Sequence, residues 1–186
     1  KARACGHAPA ILLLAEMRRT GTGLRRSKAK AFRLYLEAYR LNDVEAFNAV
    51  GNCYQKGLGV GKNPKKAREA FQKSADLGDP VGEFNVGLYE MDDPSYRKSP
   101  DKAIFWLDKA ASHGSVPAMR TLIDLYGKGD HPAFRKKSAA SLKELAFYYR
   151  EALAKTGDPE SLKIAADAYF NGTDVTKKNH ETAALH

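Results

Sequence analysis

The stretch from Gly57 to Lys66, GLGVGKNPKK, places three glycines before a cluster of lysines and so could form a phosphate-binding loop. A phosphate loop of the GxxxxGK[ST] type needs a glycine five residues before its GK pair, a hydroxyl after the lysine and a buried strand leading into it. This chain has Lys56 at the glycine position and Asn63 at the hydroxyl position, and the preceding VEAFNAVGNCYQ has the pattern of a helix. The stretch is therefore not predicted to bind phosphate.

Other residues that could support catalysis or metal binding are scattered along the chain. No histidine is spaced with a cysteine or carboxylate as a metal ligand would be; the histidines are His7, His113, His131, His180 and His186. Asp92-Asp93 and Asp130-His131 are typical of turns, and no serine or cysteine lies in a nucleophile motif. We therefore predict a protein that is not an enzyme and that holds no metal and no cofactor.

The composition favours a folded domain. Hydrophobic residues make up 43% of the 186 residues, which is enough for a core. The longest apolar run, Ala8 to Ala15, is far shorter than the roughly 20 residues of a membrane helix. Two cysteines, Cys5 and Cys53, are too few for a disulfide scaffold. The net charge of +9 fits either an acidic partner or solubility alone.

The glycine-rich stretch has a counterpart, because Gly21-Thr22-Gly23-Leu24 lies 36 residues before Gly57-Leu58-Gly59-Val60. A period of this length is typical of stacked helical hairpins. Small residues recur in the same register at Ala10, Ala46, Gly82 and Ala118, and the fourth unit is seven residues longer than the others. We predict a single solenoid over residues 1–186, with repeats at about 8–43, 44–79, 80–115, 116–158 and 159–186, the last one truncated.

Each repeat is predicted to contain two helices, A and B. The core positions of helix A show helical spacing: Ala46, Phe47, Val50, Gly51, Cys53 and Tyr54 in the second repeat; Ile11, Leu14 and Met17 in the first; Val86 and Tyr89 in the third; Met119, Leu122, Leu125 and Tyr126 in the fourth; Leu162, Ala165, Ala168 and Tyr169 in the fifth. Gly57 and Gly59 are predicted to form the turn between the helices, whereas Gly61 has no counterpart.

Capping residues mark the helix boundaries. Helix B is predicted to begin after Ser27, Asn63, Ser99 and Ser141 and to end at Asn42, Gly78, Gly114 and Gly157. The next helix A is predicted to be capped by Asp43, Asp79, Ser115 and Asp158.

These positions form the pattern AxxxxGxxYxxGxGVxxxxxKAxxxF, with Ala46, Gly51, Tyr54, Gly57, Gly59, Val60, Lys66, Ala67 and Phe71. The pattern resembles the Sel1-like repeat, a relative of the tetratricopeptide repeat, and residues 102–111 are similar to its second-helix signature. The third repeat departs from it, because Asp92-Asp93-Pro94 replaces the glycine turn. The resemblance implies an all-α, right-handed α-solenoid and a role as a non-enzymatic adaptor. It also implies association with bacterial envelope, secretion and immunity proteins or with eukaryotic quality control. From this family association we predict a location in the bacterial periplasm or cell envelope.

In such a solenoid the A helices line the concave surface, and their residues outside the core columns face a groove. The candidate groove residues are Asn48, Asn52, Gln55, Phe84, Leu88, Met91, Arg120, Asp124, Lys163 and Asp167, with Leu12, Glu16 and Arg19 in the first repeat and Phe170 in the fifth. Phe84, Leu88 and Met91 could form a hydrophobic anchor site. Alternatively, rotation of this helix buries them, and we favour burial.

Charges separate between the two kinds of turn. The A-to-B turns form a basic edge of Arg25, Arg26, Lys65, Lys66, Arg97, Lys98, Arg135, Lys136 and Lys137. Acidic residues in the B-to-A turns are explained by the helix dipole, whereas cations at the start of helix B oppose it. The basic edge therefore serves solubility or binds an acidic protein, anionic lipid or nucleic acid.

We predict a scaffold that binds another protein in its groove, with the basic edge attracting an acidic surface. The favoured role is a bacterial adaptor or immunity-type protein that holds or neutralises a secreted effector or toxin. The alternative is electrostatic binding of anionic lipid or nucleic acid by the basic edge. Nucleic acid ranks lower because the basic turns lack interleaved aromatic residues.

Overall fold

A computed structural model describes the backbone at residues 7–92, 101–129, 134 and 138–170. Side chains are described at residues 8–91, 101–129, 134 and 138–166. The described part contains helices and turns without strands. The helices are α1 (His7–Thr20), α2 (Lys28–Arg40), α3 (Val44–Lys56), α4 (Pro64–Asp76), α5 (Pro80–Asp92), α6 (Asp101–Ser112), α7 (Val116–Lys128), α8 (Ala139–Ala154) and α9 (Pro159–Phe170). This order gives an A helix and a B helix for each of the first four repeats, followed by the A helix of the fifth.

The chain divides into two compact units, Lys1–Tyr89 and Glu90–His186, which we call unit 1 and unit 2. In unit 1, α1 packs on α2, α2 on α3 and α3 on α4. In unit 2, α6 packs on α7, α7 on α8 and α8 on α9. No helix in the described part of the chain is both long enough and apolar enough to cross a membrane.

The predicted helix boundaries agree with the structure at most positions. Ser27 and Asn63 cap α2 and α4, because each side chain accepts a hydrogen bond from the backbone N–H three residues later. The left-handed residues after the B helices are those predicted: Asn42 (φ 60°), Gly78 (φ 78°), Gly114 (φ 87°) and Gly157 (φ 88°). Ser99 lies outside the described residues.

The predicted start of α8 is wrong. Its capping residue is Ser138, whose hydroxyl accepts a hydrogen bond from the N–H of Ser141, so Ser141 already lies inside the helix. The extra length of the fourth repeat explains the error. Helix α8 has 16 residues, compared with 13 in α2 and α4, so part of the insertion lengthens the helix at its beginning.

The turn glycines of the second repeat adopt the backbone conformation that their role requires. Gly57 and Gly59 have φ angles of 72° and 77°, in the left-handed region that favours glycine. A Cβ atom on Gly59 would lie 2.2 Å from the backbone oxygen of Lys28, so the turn packs directly against the first residue of α2. Gly61 meets neither constraint, because an added Cβ would have no atom within 4 Å.

The cores of both units follow the predicted columns. Val50 and Cys53 of α3 lie in one cluster with Phe32 and Tyr35 of α2 and Ala15 of α1. In unit 2, the side chains that are buried include Leu107 of α6, Leu122 and Tyr126 of α7 and Leu153 of α8. Gly51 permits the close approach of α3 and α4, because a Cβ there would lie 2.7 Å from the ring of Phe71.

Three predicted small or apolar core positions are instead exposed. Leu14 is 40% exposed, Leu162 is 49% exposed, and Ala10 is also exposed. Their counterparts Val50 and Ala46 are buried because the α1–α2 hairpin precedes α3 and packs on it. Among the described helices, α1 packs on α2 and α9 packs on α8, so side chains of α1 and α9 that do not face those neighbours are exposed. Ala168 and Tyr169 lie outside the residues with described side chains.

Candidate partner-binding surfaces

The predicted groove residue Asn48 is held by a structural contact. Its Nδ2 atom donates a hydrogen bond to Oδ2 of Asp79, at 2.9 Å. Asp79 caps α5 by accepting from the N–H of Gly82 at 2.8 Å, and it also accepts from the hydroxyl of the buried Ser74 at 2.9 Å. Asn48 on α3 therefore joins the A helix of one repeat to the first turn of the next A helix.

The same arrangement recurs in unit 2 with different residues. Arg120 on α7, which lies two repeat periods after Asn48, forms an ion pair with Asp158. Asp158 caps α9 by accepting from the N–H of Ser161, at 3.0 Å. The pKa of Asp158 lies below its usual value because the hydroxyl and backbone N–H of Ser161, and then Arg120, stabilise the carboxylate. This groove column therefore holds consecutive A helices together.

A cavity of about 240 Å³ opens between α1 and α3 in unit 1. Its lining includes the predicted groove residues Glu16 and Arg19 from α1 and Asn52 from α3. Lys56 and Cys53 of α3, Tyr35 of α2, Ala49 and Leu58 complete it. The structure thus brings together groove residues of the first two repeats, with a floor supplied by helix B.

Hydrogen bonds organise the charged side of this cavity. Arg19 pairs with Glu16, and its Nε donates to Oε2 of Glu16 at 2.8 Å. The hydroxyl of Tyr35 donates to the same oxygen at 2.8 Å. The hydrogen bond from Arg19 is the main reason that the pKa of Glu16 falls to about 2. The carboxylate is therefore ionised throughout the neutral range and holds both neighbours in position.

Burial is the main influence on the pKa values of Tyr35 and Cys53, two further ionisable groups of the cavity. It raises the pKa of Tyr35, and the hydrogen bond to Glu16 raises it further. It also raises the pKa of the Cys53 thiol to about 11, so this cysteine is protonated at neutral pH. Because the thiolate is the reactive form, Cys53 is chemically inert in the folded chain.

A second cavity, of about 430 Å³, adjoins the first and shares Glu16, Tyr35 and Ala49 with it. Pro9, Leu12 and Leu13 of α1 and Glu45 of α3 line the remainder. The two cavities together form the surface that we call the unit 1 groove, with apolar residues at one end and polar and charged residues at the other. Sequence reasoning missed Tyr35 and Leu13, because it considered only one column of helix A at a time and no residue of helix B.

Unit 2 has a cavity of about 260 Å³ between α7, α8 and α9. The predicted groove residues Arg120 and Asp124 line it, together with Arg150 of α8 and Asp158 and Glu160 at the start of α9. Arg150 was not predicted, because it also belongs to a B helix. Two of the five charged residues that line this cavity, Arg120 and Asp158, form an ion pair with each other.

The remaining groove predictions have mixed outcomes. Phe84, Leu88 and Met91 are each partly exposed, so they are neither a fully buried cluster nor a fully exposed one. Gln55 is also partly exposed, and Lys163 is exposed. The side chains of Asp167 and Phe170 lie outside the described residues.

Four residues of the predicted basic edge are described, and all of them are exposed: Arg25, Arg26, Lys65 and Lys66. The other members, Arg97, Lys98, Arg135, Lys136 and Lys137, lie outside the described residues. In the described ranges, no three side chains of histidine, cysteine, aspartate or glutamate lie close enough together to hold a metal ion.

Stacked helical hairpins with grooves between consecutive A helices define a class of repeat proteins that bind other proteins. The Sel1 repeat model matches residues 8–43, 44–79, 80–115 and 159–186, so this chain belongs to the Sel1 repeat family. The family is one of non-catalytic interaction scaffolds with a helical solenoid fold. The matched ranges coincide with four of the five predicted repeats, and the longer fourth repeat is outside them.

Known relatives show how widely the repeat is used. Chitin synthase regulatory factor 2 of Schizosaccharomyces pombe is 33% identical over 132 residues, which is 67% of this chain and 25% of that protein. A Sel1 repeat protein of Oxalobacter formigenes has a similar structure, with a TM-score of 0.73, 27% identity and coverage of 89% of this chain and 64% of that one. Immunity protein Pa5087 of Pseudomonas aeruginosa has a TM-score of 0.59, 27% identity and coverage of 88% and 58%. This chain therefore spans only part of each of these proteins.

Proposed function

We propose that this chain is a non-enzymatic scaffold that binds another protein in the unit 1 groove. The observation that supports the proposal is the combination of apolar and polar lining in two adjoining cavities. Leu12 and Leu13 of α1 offer contact to an apolar anchor in one cavity, while Asn52 and Lys56 of α3 offer hydrogen bonds in the adjoining cavity. Binding energy in protein interfaces is concentrated where an apolar anchor is surrounded by polar groups that fix its orientation.

The internal contacts of the groove favour a preformed site. Glu16 is bound by Arg19 and Tyr35, so the charged wall is ordered before any partner arrives. A preformed site avoids the entropic cost of ordering side chains on binding. Lys56 is exposed and is placed to meet a carboxylate or carbonyl oxygen of the partner.

For the specific role, we propose an adaptor or immunity-type protein of bacterial origin that holds or neutralises a secreted effector. The likeness to immunity protein Pa5087 supports this proposal. The likeness to a regulatory factor of chitin synthase fits the broader role of a scaffold. A periplasmic or cell-envelope location would accompany the immunity role.

The test uses two matched leucine variants. Leu13 is 65% exposed and lines the groove, whereas Leu77 is 61% exposed and lies outside the groove residues. The native chain, Leu13→Asp and Leu77→Asp would each be immobilised and incubated with lysate and secreted fraction of the source cells. Proteins retained by the native chain would then be purified and titrated against all three chains, after circular dichroism has confirmed equal helix content.

We expect a saturable complex that Leu13→Asp weakens at least about tenfold, which corresponds to the loss of one anchor residue. Leu77→Asp should bind as the native chain does. Equal binding by all three chains would exclude the groove as the site. The immunity role further requires that the partner is toxic when expressed alone and that co-expression of the native chain, but not of Leu13→Asp, suppresses the toxicity.

A further inference from the structure

A second surface of unit 1 is formed by α2 and α4, and it carries more cations than carboxylates. Exposed cations cover the outward positions of both helices: Lys28, Lys30, Arg33 and Arg40 on α2, and Lys65, Lys66 and Lys73 on α4. The carboxylates on these two helices are fewer, namely Glu37, Glu69 and Asp76. On the A helices of unit 1, acidic side chains balance or exceed the cations. We call the α2–α4 surface the basic face.

The helix dipole does not explain the lysines in the first turns of α2 and α4, whereas it favours Arg40 and Lys73 in their last turns. Neither α2 nor α4 has an acidic residue in its first turn, and both have lysines there. Positive charge at a helix N-terminus is opposed by the helix dipole. The basic face extends the predicted basic edge from the turns along the helices, and its first-turn lysines therefore need a cause outside the helices themselves.

The basic face also contains a recess, of about 640 Å³, between α2 and α4. One stripe of α4 lines it, with Lys65, Arg68, Glu69, Gln72 and Lys73, and Tyr39 of α2 lies on the other side. The Nζ atom of Lys73 is 4.7 Å from the centre of the Tyr39 ring. This cation–π contact restrains the lysine at the recess instead of leaving it to move freely in solvent.

We propose that this recess binds an acidic segment of polypeptide, with two neighbouring carboxylates of the segment seated between Lys65 and Lys73. Charge complementarity requires that the partner carries negative charge. The recess gives that charge a defined place to bind, which the positive charge of the whole face would not do by itself. Glu69 and Gln72 lie among the cations and can accept hydrogen bonds from backbone N–H groups of a peptide.

The same residues argue against the other anionic partners. Glu69 repels a phosphate as it repels a carboxylate, so the preference for a polypeptide depends on the backbone N–H groups that a peptide offers beside its carboxylates at every residue. On α2 and α4 themselves no large apolar side chain is exposed, and the exposed Leu41 and Leu77 that directly follow the two helices offer little apolar area for insertion into a membrane. The aromatic rings Phe32, Tyr35 and Phe71 are buried, and the ring of Tyr39 at the recess is in contact with Nζ of Lys73, so the described residues of this face offer no row of free rings on which bases could stack.

The test uses a fluorescently labelled peptide of ten residues, in which pairs of neighbouring Glu and Asp residues alternate with Ala. Its affinity for the native chain would be compared with that for Lys65→Gln/Lys73→Gln, which removes two of the three cations that line the recess and leaves Arg68. The matched control, Lys28→Gln/Lys30→Gln, removes the same charge from the same face outside the recess. The single variant Lys65→Gln removes one cation but keeps the contact between Lys73 and Tyr39. Weaker binding by this variant therefore cannot result from the loss of that stabilising contact. Vesicles containing phosphatidylserine and a twenty-nucleotide oligothymidylate would serve as competitors.

We expect the double variant of the recess to bind the peptide about five- to tenfold more weakly, the single variant to lose part of that, and the control to change less than about twofold. Equal weakening by recess and control variants would mean that the face acts only through its summed charge, and the proposed site would be wrong. The proposal would also be overturned if the peptide did not bind, or if vesicles or the oligonucleotide displaced it at lower concentration than unlabelled peptide.

Discussion

Glu16 is the residue whose ionisation connects the groove to the stability of unit 1. Its pKa in the folded chain is about 2, compared with an ordinary value of 4.5, mainly because Arg19 donates hydrogen bonds to it. Because the pKa of Glu16 is lower in the folded than in the unfolded chain, its ionised carboxylate contributes to the free energy of unfolding above pH 4.5. This contribution is lost as the pH falls towards 2. Because the side chain is about half exposed, solvent screening reduces this contribution to about 0.5–1 kcal/mol.

We predict that a carboxyl-carbon NMR titration of the native chain will give Glu16 a pKa near 2. Replacing Arg19 with Gln should raise the pKa of Glu16 to its ordinary value or above, because burial raises it more than the hydrogen bond from Tyr35 lowers it. Glu16→Gln should reduce the loss of unfolding free energy between pH 5 and pH 2. An ordinary pKa in the native chain would show that the pair with Arg19 is not formed in solution.

At the scale of helices, the contacts that hold one A helix to the next are concentrated on the capping carboxylate. Asp79 accepts from Gly82 N, Ser74 Oγ and Asn48 Nδ2. Its counterpart Asp43, one repeat earlier, accepts the capping hydrogen bond from Ala46 N at 3.0 Å. The two aspartates therefore share the capping role, while Asp79 also satisfies side chains from α3 and α4.

We predict that Asp79→Ala will lower the free energy of unfolding by about 2–4 kcal/mol, because it removes a helix cap and leaves the buried Ser74 hydroxyl without its acceptor. Asp43→Ala should cost about 1 kcal/mol, the usual effect of losing a cap alone. Urea denaturation followed by circular dichroism would measure both. Equal losses would mean that the bonds from Asn48 and Ser74 contribute nothing beyond the cap.

Helix boundaries and turns were predictable because their chemistry is local. The cap at Asn63 and the left-handed Gly78 are specified by the residues themselves, and the 36-residue period repeats them. Ser141 was misassigned because a plausible capping residue also lies at Ser138, and only the packing of α8 decides between them. Leu14 was misassigned because burial of its column requires a neighbouring hairpin, which a pattern within one repeat does not reveal.

At the scale of the whole molecule, the binding surfaces were only partly predictable. The sequence placed Glu16, Arg19 and Asn52 on one face, since that follows from helical periodicity, and the structure brings the three residues together at one cavity. It did not identify Tyr35, because the floor of the groove depends on how helix B packs under two A helices. It also treated Asn48 and Arg120 as free to bind, whereas their partners lie 31 and 38 residues away along the chain.

The last prediction concerns how far a local change spreads through the molecule. Gly59→Ala should lower the free energy of unfolding by about 2–4 kcal/mol, because it places a side chain on a left-handed residue against the backbone of Lys28. In a Cys5→Ser background, labelling of the buried Cys53 reports on unit 1, while the fluorescence of Trp106, the single tryptophan, reports on unit 2. Because stability in repeat proteins is approximately a sum of local terms, the urea midpoint of Cys53 labelling should fall more than that of Trp106 fluorescence. Gly61→Ala, with open space around the added Cβ, should move neither midpoint appreciably. Equal shifts of both reporters would instead mean that the predicted solenoid of residues 1–186 unfolds as one cooperative body.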